Sequence, residues 1–198
     1  KATTSSDSKL NFNLGNIGLV ASINLINEKN TSGWENINFG FGYNRTNNFH
    51  NQMDIQGDNK TGSLLDVFVS DATGSTTSDL NSFSTGLAWQ AWLINESTDS
   101  TDYLQYDHVI PNYGIKQRKL VETSGSMGET VISFGGNYKS KLYLGGTFGI
   151  VRVRYNEEST FEEIDEMDTI ANFKSFTYGQ NLSTSGNGVN LKLGAIIR

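Results

Sequence analysis

The side chains able to do chemistry are few. There are two histidines, His50 and His108, and no cysteine. The histidines are not at His-x-x-x-His spacing, so the usual ligand set of a catalytic zinc is missing. No Gly-x-Ser-x-Gly elbow, phosphate loop or dinucleotide fingerprint occurs. Gly40 and Gly42 make a Gly-x-Gly, but it sits inside an alternating run, where it cannot cradle a phosphate. The densest charge is acidic: Glu157, Glu158, Glu162, Glu163, Asp165, Glu166 and Asp168 lie between Asn156 and Asp168. Their spacing is not that of a calcium loop, so they read as a solvated acidic loop. Asp54 and Asp58 make no better cation site. These residues point away from enzyme chemistry, and neither a cofactor nor a metal is expected.

The chain around them bounds the class. It has 198 residues, room for one domain or part of a larger one. Charged residues are 18%, below the roughly 25% of a soluble domain, and the net charge is −6 without a basic run. Nucleic acid is therefore excluded as a partner, because phosphate contacts need clustered Lys and Arg. Aromatics at 11% argue against disorder. No apolar run approaches the ~20 residues of a membrane helix, which leaves membrane strands open. Lys1 opens a polar tract through Ser8, and Arg198 follows an apolar alternation directly. The chain reads as a fragment of a longer protein.

Period-2 alternation dominates, which means strands with two unlike faces. Ile17, Leu19, Ala21, Ile23 and Leu25 alternate with polar or small residues, Val20 excepted. So do Ile37, Phe39, Phe41 and Tyr43, then Thr130, Ile132 and Phe134, then Leu142, Leu144, Phe148 and Ile150, and finally Val189, Leu191, Leu193, Ala195 and Ile197. The second face is Gly, Asn and Ser rather than the Lys, Glu and Thr of a solvated sandwich. Glycine weakens an ordinary strand, so its repetition suggests close packing. A membrane barrel with a lipid-facing outside and a polar lumen fits; a soluble antiparallel sheet with a glycine-rich edge is the other reading. The connections alternate in length. Asn27–Gly33 and Lys139–Lys141 are short; residues 50–112 and Asn156–Asn172 are long, as in barrels with short periplasmic turns and long outer loops. That parity makes Ile115–Tyr138 one long strand, bent near Gly125, with a matching bend near Gly186. The expected fold is all-β: about five long antiparallel strands of a transmembrane β-barrel, residues 1–198 forming part of one barrel domain. Residues 50–112 form a partly helical extracellular loop. In it Leu64, Leu65, Val67 and Phe68 suit a short helix, and Asp79 could cap a second over Leu80–Glu96.

The run Gly128-Glu129-Thr130-Val131-Ile132-Ser133-Phe134-Gly135-Gly136-Asn137-Tyr138, continuing through Lys141-Leu142-Tyr143-Leu144-Gly145-Gly146-Thr147, resembles the FadL/TodX outer-membrane transporters of hydrophobic compounds, in their Bacteroidetes-type branch. The end, Gly188 to Arg198, and the early run Asn11 to Leu25 are similar to strands of that family. The resemblance is diffuse and spans most of the chain outside the long loop. It implies a fourteen-stranded barrel, plugged by an N-terminal hatch, that takes ligand from an apolar loop site and releases it laterally at a strand kink. The hatch sequence is absent here, and five strands cannot close such a barrel.

The expected function is passive outer-membrane transport of a long-chain fatty acid or hydrocarbon. Leu64, Phe68, Leu87, Trp89 and Trp92 would capture ligand, and Val151 and Val153 would line an inner apolar pocket. The expected partners are the hydrophobic ligand, outer-membrane lipid and lipopolysaccharide, with the chain a monomer. Three other readings stay open. A haem-uptake receptor would use His50 or His108 as axial ligands. A surface adhesin or structural barrel would have no ligand-sized pocket. A soluble lipid-binding β-protein would fold in water without detergent.

Overall fold

A computed structural model describes residues 14–26, 33–98, 104–111 and 113–198. The polar tract at Ala2–Ser8 and the connection at 27–32 lie outside them. The elements run β1 (Asn16–Asn24), β2 (Trp34–Asn48), β3 (Asn51–Asn59), α1 (Leu64–Ala72), α2 (Thr85–Gln90), β4 (Ile94–Glu96), β5 (Tyr106–His108), β6 (Ile115–Tyr138), β7 (Leu142–Ile164) and β8 (Ser175–Ile197). The chain is mostly antiparallel sheet and belongs to the all-β class. The main sheet has the order β1-β2-β6-β7-β8, with β3 also paired to β6, and β4 pairs with β5 in a second, small sheet. Among the described residues β1 and β8 are not paired with each other, so the sheet is open.

Contacts divide the chain into two compact units. The first comprises Lys1–Asn51, Thr123–Glu157 and Leu182–Arg198. Its register fixes which side chains share a face. Ile17 pairs with Tyr43, Leu19 with Phe41, Ala21 with Phe39 and Ile23 with Ile37. Phe39 then pairs with Phe134 and Phe41 with Ile132. All therefore stand on one face, because directly opposed residues of an antiparallel pair point the same way. The expected turn at Lys139–Lys141 is present. Lys139 and Ser140 have φ of 48° and 53°, and the Lys141 amide donates to the Tyr138 carbonyl at 3.1 Å. This left-handed pair matches strand twist, as tight hairpins require. The Glu35 carboxylate locks the turn from the neighbouring strand, accepting from Asn137 Nδ2 at 2.8 Å and Ser140 Oγ at 2.6 Å.

Ile115–Tyr138 is one strand, and its irregularity falls at Gly125, where φ is +112°. A Cβ there would stand 2.2 Å from the Arg154 carbonyl oxygen, so only glycine fits. The register of β2 slips nearby, between Arg45 and Asn47, which is how a bulge absorbs an extra residue. Gly186, expected to mark a second bend, has no positive φ.

The second unit comprises Gln52–Glu122 and Glu158–Asn181. α1 forms where expected. Ser63 accepts from the Leu65 amide, Asp66 accepts from the Ser63 amide, and Leu65, Phe68 and Ala72 are buried on one side. These pack with Leu80, Ala88, Ile94, Tyr106, Ile110, Ile115, Ile170, Phe173 and Phe176 into one apolar core. The helix expected over Leu80–Glu96 is shorter. It spans Thr85–Gln90, starts without a side-chain cap, and gives way to strand β4. Its apolar periodicity was real, but Leu80 and Ile94 reach the core from a turn and a strand instead. The segment 50–112 also contains β3, whose Met53 and Ile55 alternate too briefly to stand out. The connection expected at Asn156–Asn172 is likewise shorter, because β7 continues to Ile164.

Candidate functional site

The first unit presents an unusual surface. Ile17, Ile23, Phe39, Phe41, Ile132, Phe134, Leu144, Phe148, Ile150, Val189 and Leu191 are all exposed, with Leu19 at 77% and Leu193 at 76%. In β7 the apolar members of this face run from Leu142 to Ile150, eight steps, or about 26 Å along the strand and roughly 20 Å at a strand tilt of ~40°. Below this band Trp34 and Tyr138 are register partners, with ring centroids 5.5 Å apart. The two rings sit at one level, beside the turn at Lys139–Ser140.

Glycine has two roles, one of which alternation conceals. On the opposite face Gly40 and Gly42 lie against Ser133 and Val131. Gly149 makes room for the Glu129 carboxylate, which accepts from Asn190 Nδ2 at 2.6 Å and Lys192 Nζ at 3.2 Å; a Cβ at Gly149 would lie 2.3 Å from Glu129 Oε1. Other glycines lie on the apolar face, beneath aromatic rings of the next strand. The Tyr43 ring covers Gly128, Trp34 covers Gly136, and Phe134 covers Gly146, each within 2.8 Å of where a Cβ would be. Laying rings flat over glycine smooths that face and fixes register.

In the second unit the proposed capture residues part company. Phe68 is buried and meets Tyr178 edge to face at 5.4 Å. Leu64 and Trp89 pack against the same core, Trp89 with its ring 6.0 Å from Tyr106. Leu87 stays exposed, as does Trp92 at 73%, and so does Phe83 at 84%, which was not among the proposed ligand contacts. Trp92 holds a φ of +59°, a left-handed conformation a bulky residue rarely adopts. Phe83 is held by its backbone, its carbonyl accepting from Tyr178 OH at 2.7 Å. Val151 and Val153 belong to the first unit, half-buried on the glycine side of β7, with Val153 against Gly186.

The acidic stretch is not a solvated loop. Glu163 is 0% exposed and Asp165 is 1% exposed. Glu163 accepts from Ser63 Oγ at 2.6 Å, the Leu64 amide at 2.8 Å and Gln117 Nε2 at 2.6 Å, so it seals the start of α1. A carboxylate there also meets the positive end of the helix dipole. Asp165 accepts from the Ile170 amide at 2.7 Å. That bond, with smaller help from Thr169 and Lys174, outweighs burial and lowers its pKa. Burial works against the Asp66 charge, but the Ser63 amide, the Tyr113 hydroxyl and His108 outweigh it and lower that pKa too. Asp66 Oδ1 lies 2.9 Å from His108 Nε2 and 2.7 Å from Tyr113 OH. The Ile110 amide donates to His108 Nδ1 at 3.3 Å, so both ring nitrogens of His108 are engaged. His50 lies beside Asn48, Nδ1 to Oδ1 at 2.8 Å. Among the described residues no three His, Asp or Glu side chains are grouped to hold a metal.

The capping pair Ser63-x-x-Asp66 was readable in the sequence as a helix start. The Glu163 contact was not, since its partners lie 46 to 100 residues away. Comparison with family models, with curated proteins and with solved structures returns no match. No helix among the described residues is long and apolar enough to cross a membrane, which says nothing of strands.

Proposed function

We propose that this chain is part of an outer-membrane β-barrel that carries hydrophobic small molecules passively, in the manner of the FadL/TodX transporters it resembles. The carrying observation is the exposed apolar face of the first unit. Soluble proteins rarely expose contiguous apolar patches beyond a few hundred Å²; a barrel facing lipid requires one on every strand. Its height, and the paired Trp34 and Tyr138 at one margin, suit the hydrocarbon layer and its interface. The glycine-rich face, with Glu129, Asn190 and Lys192, suits a polar lumen.

Capture of ligand then falls to the exposed apolar residues of the second unit, Leu87 and Trp92 with Phe83. Phe68, Leu64 and Trp89 hold the core together beneath them, and Val151 and Val153 remain the candidate inner contacts. The Glu163, Asp165 and Asp66 networks support structure. For the haem alternative, His108 would have to give up one of its two hydrogen bonds, to Asp66 or from the Ile110 amide, to bind iron, whereas His50 keeps one ring nitrogen without a partner among the described residues.

The test is uptake of a long-chain fatty acid by cells carrying the full protein. Leu87→Ala with Trp92→Ala should reduce uptake several-fold while thermal unfolding in detergent is unchanged. Uptake equal to that of the unaltered protein would remove the capture assignment. Folding of the unaltered chain in water, without detergent or vesicles, would remove the barrel.

A further inference from the structure

Above the apolar band of the first unit the same face changes to arginine. In β7, Ile150 is followed at the same parity by Arg152 and Arg154, both exposed, about 6.6 Å apart along the strand. Arg45 follows Tyr43 on β2, paired with Gly128 of β6. Gly125, three residues before Gly128, lies against the Arg154 backbone, so all three arginines share one end of this sheet. Arg45 is held by Asn48 at 2.9 Å. Arg152 and Arg154 form no ion pair among the described residues. Glu157, the nearest carboxylate in sequence, stands at the opposite parity and is occupied by Tyr155. Glu158, exposed at the same parity four residues beyond Arg154, forms no ion pair with either arginine among the described residues, and Glu129, on the other face, is occupied by Lys192.

We propose that Arg152 and Arg154 form a binding site for the phosphate of an anionic membrane lipid whose acyl chains lie along the apolar band. This rests on the barrel reading given above. The argument for the occupant is complementarity of both halves. Two unpaired guanidinium groups directly above a hydrocarbon-matched surface fit a phosphate above acyl chains, and a guanidinium fork matches phosphate oxygens two at a time. A soluble anion would find the charge but leave the apolar face bare. A neutral lipid would cover the face but leave the arginines without a partner.

The experiment is lipid retention by the full protein that carries this chain, folded into vesicles of dioleoyl phosphatidylcholine mixed in equal parts with dioleoyl phosphatidylglycerol. The complex is extracted in mild detergent and weighed by native mass spectrometry. Phosphatidylglycerol should be retained in preference, and Arg152→Gln with Arg154→Gln should cut that preference roughly five-fold per arginine. Inorganic phosphate added in excess should not displace the lipid. Equal retention of the two lipids, or an unchanged preference in the double variant, would overturn the proposal and leave the barrel reading intact. Failure to enter vesicles of either composition would overturn both.

Discussion

Two carboxylates in the second unit show how a residue's partners decide its meaning. Glu163 and Asp165 sit in a run of acids that looks like a solvated loop, yet both are buried and fully partnered. Removing one side of such a network leaves donors stranded. Glu163→Ala should destabilise the chain by about 1–3 kcal/mol, read from urea unfolding, because the Leu64 amide, Ser63 Oγ and Gln117 lose their common acceptor. Acid should act on the same unit. Asp165 and Asp66 have folded-state pKa values below the ordinary 3.8. Their stabilisation is thus present above 3.8 and fades as pH falls through the depressed values. The protection factor of the Ile170 amide, its exchange rate relative to that of an unstructured peptide at the same pH, should fall in that acidic window, and Asp165→Asn should remove that fall. A protection factor at Ile170 that is unchanged across that window in the unaltered chain would contradict the assignment. On the glycine face, Gly149→Val should displace Glu129 from Asn190 and Lys192, since no space exists for even a Cβ.

Within the elements, the two kinds of apolar residue separate by what covers them. The face of β2 is exposed at Phe39 and Phe41, whereas the face of α1 is closed at Leu65 and Phe68. Phe68→Ala should therefore cost about 3–5 kcal/mol through the cavity it leaves. Leu87→Ala should cost little, being exposed. Phe39→Lys should cost roughly 2–4 kcal/mol in a bilayer near the midplane. In water the same change should be neutral or improve solubility. A neutral Phe39→Lys in vesicles would place that strand outside the hydrocarbon. Strand β6 adds a backbone element to this scale. Gly125→Ala should be strained both by its φ of +112° and by the Arg154 carbonyl, and should lower the unfolding temperature more than Gly188→Ala, where the space is open.

For the molecule as a whole, charge divides as sharply as contact does. The second unit holds 16 of the 21 acidic residues but only 5 of the 15 basic ones, so the first is net basic although the chain is acidic. A net charge of −6 conceals both facts. Added salt should therefore affect the two units differently, stabilising the self-repelling acidic one. Alternation determined the five long strands and their two faces, while β3, β4 and β5 left no such signal. The alternation of short and long connections added the tight turn at Lys139–Ser140 and the unbroken run of β6. These are local, set by period and by turn chemistry within a few residues. The helix α1 was legible from its apolar spacing for the same reason. The tertiary structure decided what depends on residues far apart in sequence. It stopped the second helix at Gln90 because Ile94 pairs into a strand with His108. It drew Phe68 and Trp89 into a core while leaving Phe83 and Trp92 outside, though all four look alike as apolar loop residues. It buried Glu163 against Ser63 and laid Tyr43, Trp34 and Phe134 over glycines of the adjoining strands. Periodicity reports which way a side chain points. Whether anything meets it there is settled by the partner strand or helix that the chain brings alongside.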